Sequence, residues 1–194
     1  MRVLVLYAHP VENSFVAALR GQVVDALRGR GHQVDDCDLN GEGFNPVMSR
    51  RERINYHNKA VNRGPVAPYV ERLLAAEALI LVFPVWNYGF PAILKGFIDK
   101  VFLPGVSFEL AADGSYTPTL RNIRKLAAVC TYGGDRWRTI LMGDPPRRVV
   151  KRSLRHLVGP RATCDYLAHY DMNRPNPERR ARFLGKVKRA FEAW

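Results

Sequence analysis

Two hydrophobic periods alternate along this chain. Arg2 to Ala8 is a nearly continuous apolar run, the pattern of a strand buried on both faces. Ser14 can cap a helix that runs to about Arg28, with apolar Phe15, Val16, Leu19, Val23 and Leu27 along one side; Gly29-Arg30-Gly31 stops it. Gln33 to Leu39 is a half-polar strand suited to a sheet edge. Residues 40–64 are long and polar, with a short helix expected around Arg51–Lys59. Pro68 starts a helix through Leu73, Leu74 and Ala76, and Ala78 to Phe83 is a third strand. Pro91 opens a helix through Ile93, Leu94, Phe97, Ile98 and Val101. Asp113-Gly114 marks a turn between Phe108-Glu109-Leu110 and Tyr116. Lys125 to Thr131 reads as a fourth strand, Pro145 to Val158 as a helix, Ala162 to Ala168 as a fifth strand and Pro177 to Ala193 as a closing helix.

Strands alternating with helices in this way imply a parallel sheet with helices on both faces. The dinucleotide fingerprint G-x-G-x-x-G is absent after the first strand, where His9-Pro10-Val11-Glu12-Asn13-Ser14 stands, and so is the phosphate-loop pattern GxxxxGK. The expected architecture is therefore an α/β, flavodoxin-like, three-layer doubly wound fold. Its five-stranded parallel sheet would have the order 2-1-3-4-5, in one domain over residues 1–194.

Composition changes this picture little. The 194 residues are 47% hydrophobic and 25% charged, an ordinary globular balance. No run approaches the roughly 18 apolar residues of a membrane span. The first residues read as a strand and not as a leader peptide, so a cytoplasmic protein is expected. Cys37, Cys130 and Cys164 lie far apart in apolar segments and read as packing thiols; no metal-ligand spacing is present. Charge is more informative. Residues 121–194 hold 18 Lys/Arg against 6 Asp/Glu, while residues 1–120 hold 12 of each, so the whole net charge of +12 sits in the last part. Attraction of an anionic small molecule fits this; nucleic acid is disfavoured because no recognition motif accompanies the charge. Arg174, Arg179, Arg180 and Arg182 read as a solvated helix face.

In such folds ligands sit beyond the carboxyl ends of the strands. Three segments converge there. His9, Asn13, Ser14 and Phe15 place an imidazole, an amide, a hydroxyl and free backbone N–H groups at a helix N-terminus, which is an anion site. Pro84 to Tyr88 interrupts an apolar run with aromatic and amide side chains. Thr131-Tyr132-Gly133-Gly134 carries two glycines that let backbone approach a ligand. An anion pocket, an aromatic rim and a bare backbone edge suit a flavin.

The segments AHPVENSF, LVFPVWNYGFPAILKGFIDKVF and TYGG resemble the three flavin-contacting motifs of the NAD(P)H:quinone oxidoreductase family, the DT-diaphorase-like branch. The segment DLNGEGFNPVMSRRE is also similar to that branch. The resemblance covers most of residues 1–134. It implies that His9, Ser14 and Phe15 bind the flavin phosphate end, that Pro84, Val85, Trp86, Asn87 and Tyr88 wrap one edge of the ring, and that Thr131, Tyr132, Gly133 and Gly134 bond its pyrimidine side. It implies ping-pong hydride transfer from NAD(P)H through the flavin to a quinone, in a homodimer. The long segment 40–64 resembles the FAD-binding branch, which favours FAD over FMN. A regulatory flavoprotein partnering a potassium-efflux type transporter, and a flavodoxin-like electron carrier, are the alternatives. The sequence departs from the family at Val16, where Asn is common, and after the glycine pair, where Asp135-Arg136-Trp137-Arg138 stands. No catalytic side chain is assigned; Trp137, Tyr132 and Asn87 are the candidate substrate-pocket residues.

Overall fold

The computed structural model describes residues 1–174 and 176–194. Its sheet is built from β1 (Arg2–Tyr7), β2 (Gln33–Asp38), β3 (Ala78–Val85), β6 (Lys125–Tyr132) and β7 (Thr163–His169). All neighbours are parallel, in the order β2-β1-β3-β6-β7, which is the expected 2-1-3-4-5 arrangement. A small antiparallel hairpin, β4 (Phe108–Leu110) with β5 (Tyr116–Pro118), stands apart at the Asp113-Gly114 turn.

Alternation along the strands splits the core into two layers. Leu4, Leu6, Leu79, Leu81, Phe83, Ala128 and Cys130 face one side, under α3 (Ala67–Ala75) and α4 (Ala92–Val101). Val3, Val5, Tyr7, Ile80, Val82 and Val129 face the other, under α1 (Phe15–Gly29) and α8 (Pro177–Glu192). Every residue of β3 is buried, as a central parallel strand requires.

The third strand runs further than its apolar pattern indicates, through Pro84 to Val85. Val82 O accepts from Ala8 N at 3.0 Å on the β1 side, and strand alternation directs the Pro84 nitrogen to that same side. There the pairing with β1 stops, with Tyr7 opposite Val82, so the proline falls just past the end of that ladder.

The segment 40–64 holds only a one-turn helix, α2 (Arg50–Ile54), shorter than expected; Ser49 and Glu52 close a capping box at its start. It lies across α4. A side chain on Gly96 would meet Pro46 at 2.4 Å, so only glycine permits this crossing. The Lys100 ammonium, buried below, donates to Asn45 O at 3.0 Å and Val47 O at 3.1 Å and pairs with Glu52 at 3.0 Å. The expected helix at 145–158 is present as α6 (Pro145–Arg148), a π-helical stretch over Val149–Leu154, and α7 (Arg155–Leu157). One helix escaped the sequence pattern, α5 (Arg136–Leu141).

Candidate functional site

The three strand-end loops named from the sequence meet at the carboxyl edge of β1, β3 and β6. At the first, Ser14 caps α1 by accepting from Ala17 N at 3.1 Å. No acceptor among the described residues takes the N–H groups of Phe15 and Val16, and the first turn carries no acidic side chain. Two bare donors at the positive end of a four-turn helix attract an anion. Beside them, Val11 N donates to His9 Nδ1 at 3.0 Å. That bond makes Nδ1 the acceptor, so the proton sits on Nε2, free to donate. Burial holds the His9 pKa below its usual value, which keeps the ring neutral at neutral pH.

At the second loop, Trp86 and Gly89 exchange hydrogen bonds of 3.2 and 2.8 Å around Asn87 and Tyr88. Both central residues take left-handed backbone, with φ of 49° and 56°. This is the geometry of a type I′ turn, which glycine would occupy at least cost. Asn tolerates it; Tyr stores strain of the order of 1–3 kcal/mol, a mark of sites where a side chain is needed. The Pro84 and Val85 side chains are buried, so these two offer only backbone, whereas Trp86, Asn87 and Tyr88 are exposed at the mouth.

At the third loop the carbonyls are turned away. Met172 N donates to Tyr132 O at 3.0 Å, Asn173 N to Gly133 O at 3.2 Å and Asp171 N to Gly134 O at 2.8 Å. The Gly133 and Gly134 N–H groups have no acceptor among the described residues. A ligand edge rich in acceptors therefore meets a backbone edge of donors.

Contacts between loops close the arrangement. The His9 and Trp86 rings lie 5.8 Å apart, edge to face, and the Tyr88 hydroxyl lies 3.9 Å from where a side chain on Gly134 would begin. Phe15 does not face the crevice alone. Its ring packs edge-on to His169 at 5.3 Å, with the Arg180 guanidinium 5.7 Å over its face.

One sequence assignment is corrected. Tyr132 is not a substrate-pocket side chain. Strand alternation carries it into the core with Cys130, where its ring stacks on Tyr170 at 4.8 Å. Its hydroxyl donates to Asp144 Oδ1 at 2.5 Å and lies 2.6 Å from the Tyr166 hydroxyl. Thr131 is likewise nearly buried, in register with His169. Trp137 stands exposed on α5, two residues past the helix-capping Asp135.

Sequence reasoning missed Asp144, Tyr166, Asn173 and His169. Alternation along β6 could have pointed Tyr132 inward; the partners come from distant segments and carry no local signal. The Cys130 thiol is pushed up to about 12 and Cys37 higher still by burial, so neither offers a reactive thiolate. Among the described residues no group of His, Cys, Asp and Glu has a metal-binding arrangement.

A family model described as flavodoxin-like fold matches residues 1–159. An uncharacterized NAD(P)H oxidoreductase of Escherichia coli, YcaK, is 33% identical over 143 residues, 73% of this chain and 69% of that protein. The NAD(P)H dehydrogenase (quinone) 1 of Rattus norvegicus is 30% identical over 148 residues, 68% of this chain; that match spans about half, 54%, of the rat protein. Among solved structures, Smu.1420 of Streptococcus mutans superposes with a TM-score of 0.87 over 100% of both chains at 25% identity.

Proposed function

We propose, from the premise that this chain belongs to the flavodoxin-like fold family and within it to the NAD(P)H:quinone oxidoreductases, that it binds a flavin at the three strand ends and passes two electrons from NAD(P)H to a quinone. The observation that carries this reading is the convergence of two unpaired N–H pairs, at Phe15-Val16 and Gly133-Gly134, on either side of an exposed aromatic turn at Trp86-Asn87-Tyr88. An anion at one end and an acceptor-rich flat edge at the other fit those donors. The bound flavin would supply the hydride acceptance and release that no side chain here can perform, in alternating half-reactions.

The residues divide the work. Phe15 N–H, Val16 N–H and the His9 Nε2 proton hold the phosphate end. Trp86 and Tyr88 wall the ring and exclude water from one side. Gly133 and Gly134 N–H donate to the pyrimidine edge, where they stabilise negative charge that develops on reduction. Asn87 and Trp137 flank the acceptor. FAD is the favoured form, because a cavity of about 450 Å³ opens beside His9 between α1 and β2, lined by Glu12, Arg20, Asp38 and Asn40, with room for an adenosine. Trp86, Asn87 and Tyr88 stay exposed within a single chain, and a second copy, the homodimer, would cover them.

The test is direct. The purified protein should be yellow, release its flavin on heating for chromatographic identification, and oxidise NAD(P)H with a menadione-type acceptor. The double variant His9→Ala/Ser14→Ala should lose most flavin; unchanged occupancy would place the phosphate elsewhere. Sedimentation at several concentrations reads the dimer.

A further inference from the structure

A second basic cavity, of about 340 Å³, lies between the end of β7 and α8. That volume is at the lower end of the range for small-molecule sites. Arg179, Arg182, Phe183 and Lys186 line it from the helix, at a spacing that puts all four on one face. Phe183 packs into the core, and the three cations supply the polar wall. No described residue lining the cavity is acidic. Arg180 stands over Phe15 instead and does not line it.

These cations are poorly neutralised. Arg179 meets Asp171 at 3.3 Å, and Arg174 shares that carboxylate at 3.9 Å. Arg182 meets Glu178 at 3.6 Å, but both side chains are mostly in water, where such a pair is worth little. Lys186 has no carboxylate partner among the described residues. The second observation is His169, on the strand side of the cavity. It is 7% exposed, and neither ring nitrogen is bonded to any of the described residues. Buried polar groups nearly always have a partner, so this imidazole is short of one. Its neighbours Phe15 and Phe183, each at 5.3 Å, cannot supply it. A multiply charged acceptor completes both the cations and the ring.

We propose that this cavity binds a phosphate group, carried by a free phosphate ester or by the 2′-position of NADPH. Arg179 and Arg182 hold its oxygens with their planar forks, Lys186 adds charge, and the His169 ring donates from the strand side. A dianion suits three cations better than a carboxylate does. Bound there, it also counters the burial and the Arg179 and Arg180 charges that lower the His169 pKa, acting in the same sense as Asp171. Phosphate binding and proton uptake by the ring therefore favour one another. The coenzyme as source rests on the proposed activity; the phosphate site does not.

The experiment is titration of the full chain, with FAD added to fill the strand ends, by inorganic phosphate at constant ionic strength. Histidine ring ¹H–¹⁵N spectra read the response. The His169 signals should move with a Kd of about 1 mM or tighter, and the midpoint of their pH titration should rise. Arg182→Gln/Lys186→Gln, both exposed and so safe for folding, should weaken phosphate by about tenfold or more at unchanged melting temperature. His9→Ala/Ser14→Ala should leave the His169 response in place, because it alters only the strand-end anion site. No movement of His169 at about 20 mM phosphate overturns the proposal. So does an equal response to chloride, or full binding by Arg182→Gln/Lys186→Gln. Coenzyme kinetics name the source. A fall in kcat/KM of about tenfold for NADPH alone in that variant assigns the phosphate to the coenzyme, and equal values for NADPH and NADH assign it to a free ester. The spectra require neither flavin nor turnover, so a colourless protein whose His169 still answers phosphate separates this proposal from the functional one.

Discussion

The mouths of β3 and β6 lie side by side and solve the same problem in opposite ways. At β3 the backbone turns left-handed at Asn87 and Tyr88, where glycine would be easiest, and keeps side chains there. At β6 the glycines Gly133 and Gly134 do not take left-handed backbone; Gly133 is small because Asn173 Oδ1 stands 3.0 Å from where a side chain would begin, while Gly134 keeps only ordinary contact, 3.9 Å, with the Tyr88 hydroxyl. The β3 mouth holds strain and is exposed. The β6 mouth is tied down from beneath by Tyr132, Asp144 and Tyr166, and from the side by the 171–173 turn. The comparison teaches that conformational freedom and space are separate reasons for glycine. Here the site uses the second where backbone must meet a ligand and declines the first where side chains must.

The largest expected effect is on the anchored mouth. Asp144→Ala removes the acceptor of a buried hydroxyl and leaves a left-handed residue, φ 45°, without its tolerant side chain. Unfolding in urea should show a loss of about 2–3 kcal/mol, with Asp144→Asn recovering at least half. A neutral Asp144→Ala would mean that nothing beneath β6 holds the loop.

Next is the strained mouth, where folding and binding should respond with opposite signs. Tyr88→Gly relieves φ 56° and should raise stability by about 1 kcal/mol while flavin content falls. A drop in melting temperature would sink the strain reading.

The glycine pair sharpens the contrast on a smaller scale. A side chain on Gly133 would meet Asn173 Oδ1 at 3.0 Å, against 3.9 Å to the Tyr88 hydroxyl for Gly134. Gly133→Ala should cost about 1 kcal/mol and Gly134→Ala less, with both lowering flavin occupancy. Equal stabilities would remove the steric distinction.

The smallest effect is one of pH. His169, buried between Phe15 and Phe183 with neither ring nitrogen bonded to any of the described residues, has its pKa lowered first by burial and then by Arg179 and Arg180. The unfolded chain therefore takes the proton first, so stability is fully present above the ordinary histidine range and falls as pH drops below it. His169→Phe should flatten the decline in melting temperature between about pH 7 and 5. An unchanged slope would show that other groups carry it.

Much of the fold was legible because its signals are local. The continuous apolar runs marked the strands, the helical spacing of Leu19, Val23 and Leu27 marked a covering helix, and Ser14 marked its start. The three strand-end segments were also legible, since the carboxyl ends of parallel strands lie on one edge whatever the details. Pro84 misplaced a strand end, because whether a missing N–H matters depends on where the neighbouring strand stops. Helix α5 escaped the pattern altogether: Trp137, Ile140 and Leu141 repeat at helical spacing, yet all three stay exposed.

By itself, then, the order of residues determined the alternation of strands and helices, the parallel sheet, and which turns would face a ligand. Tertiary structure decided that Tyr132 turns inward onto Asp144, that His169 is caged beside Phe15, and that α5 is left uncovered. Periodicity states which side of an element is apolar. What stands opposite that side is brought there by distant crossovers, and only the folded chain contains it.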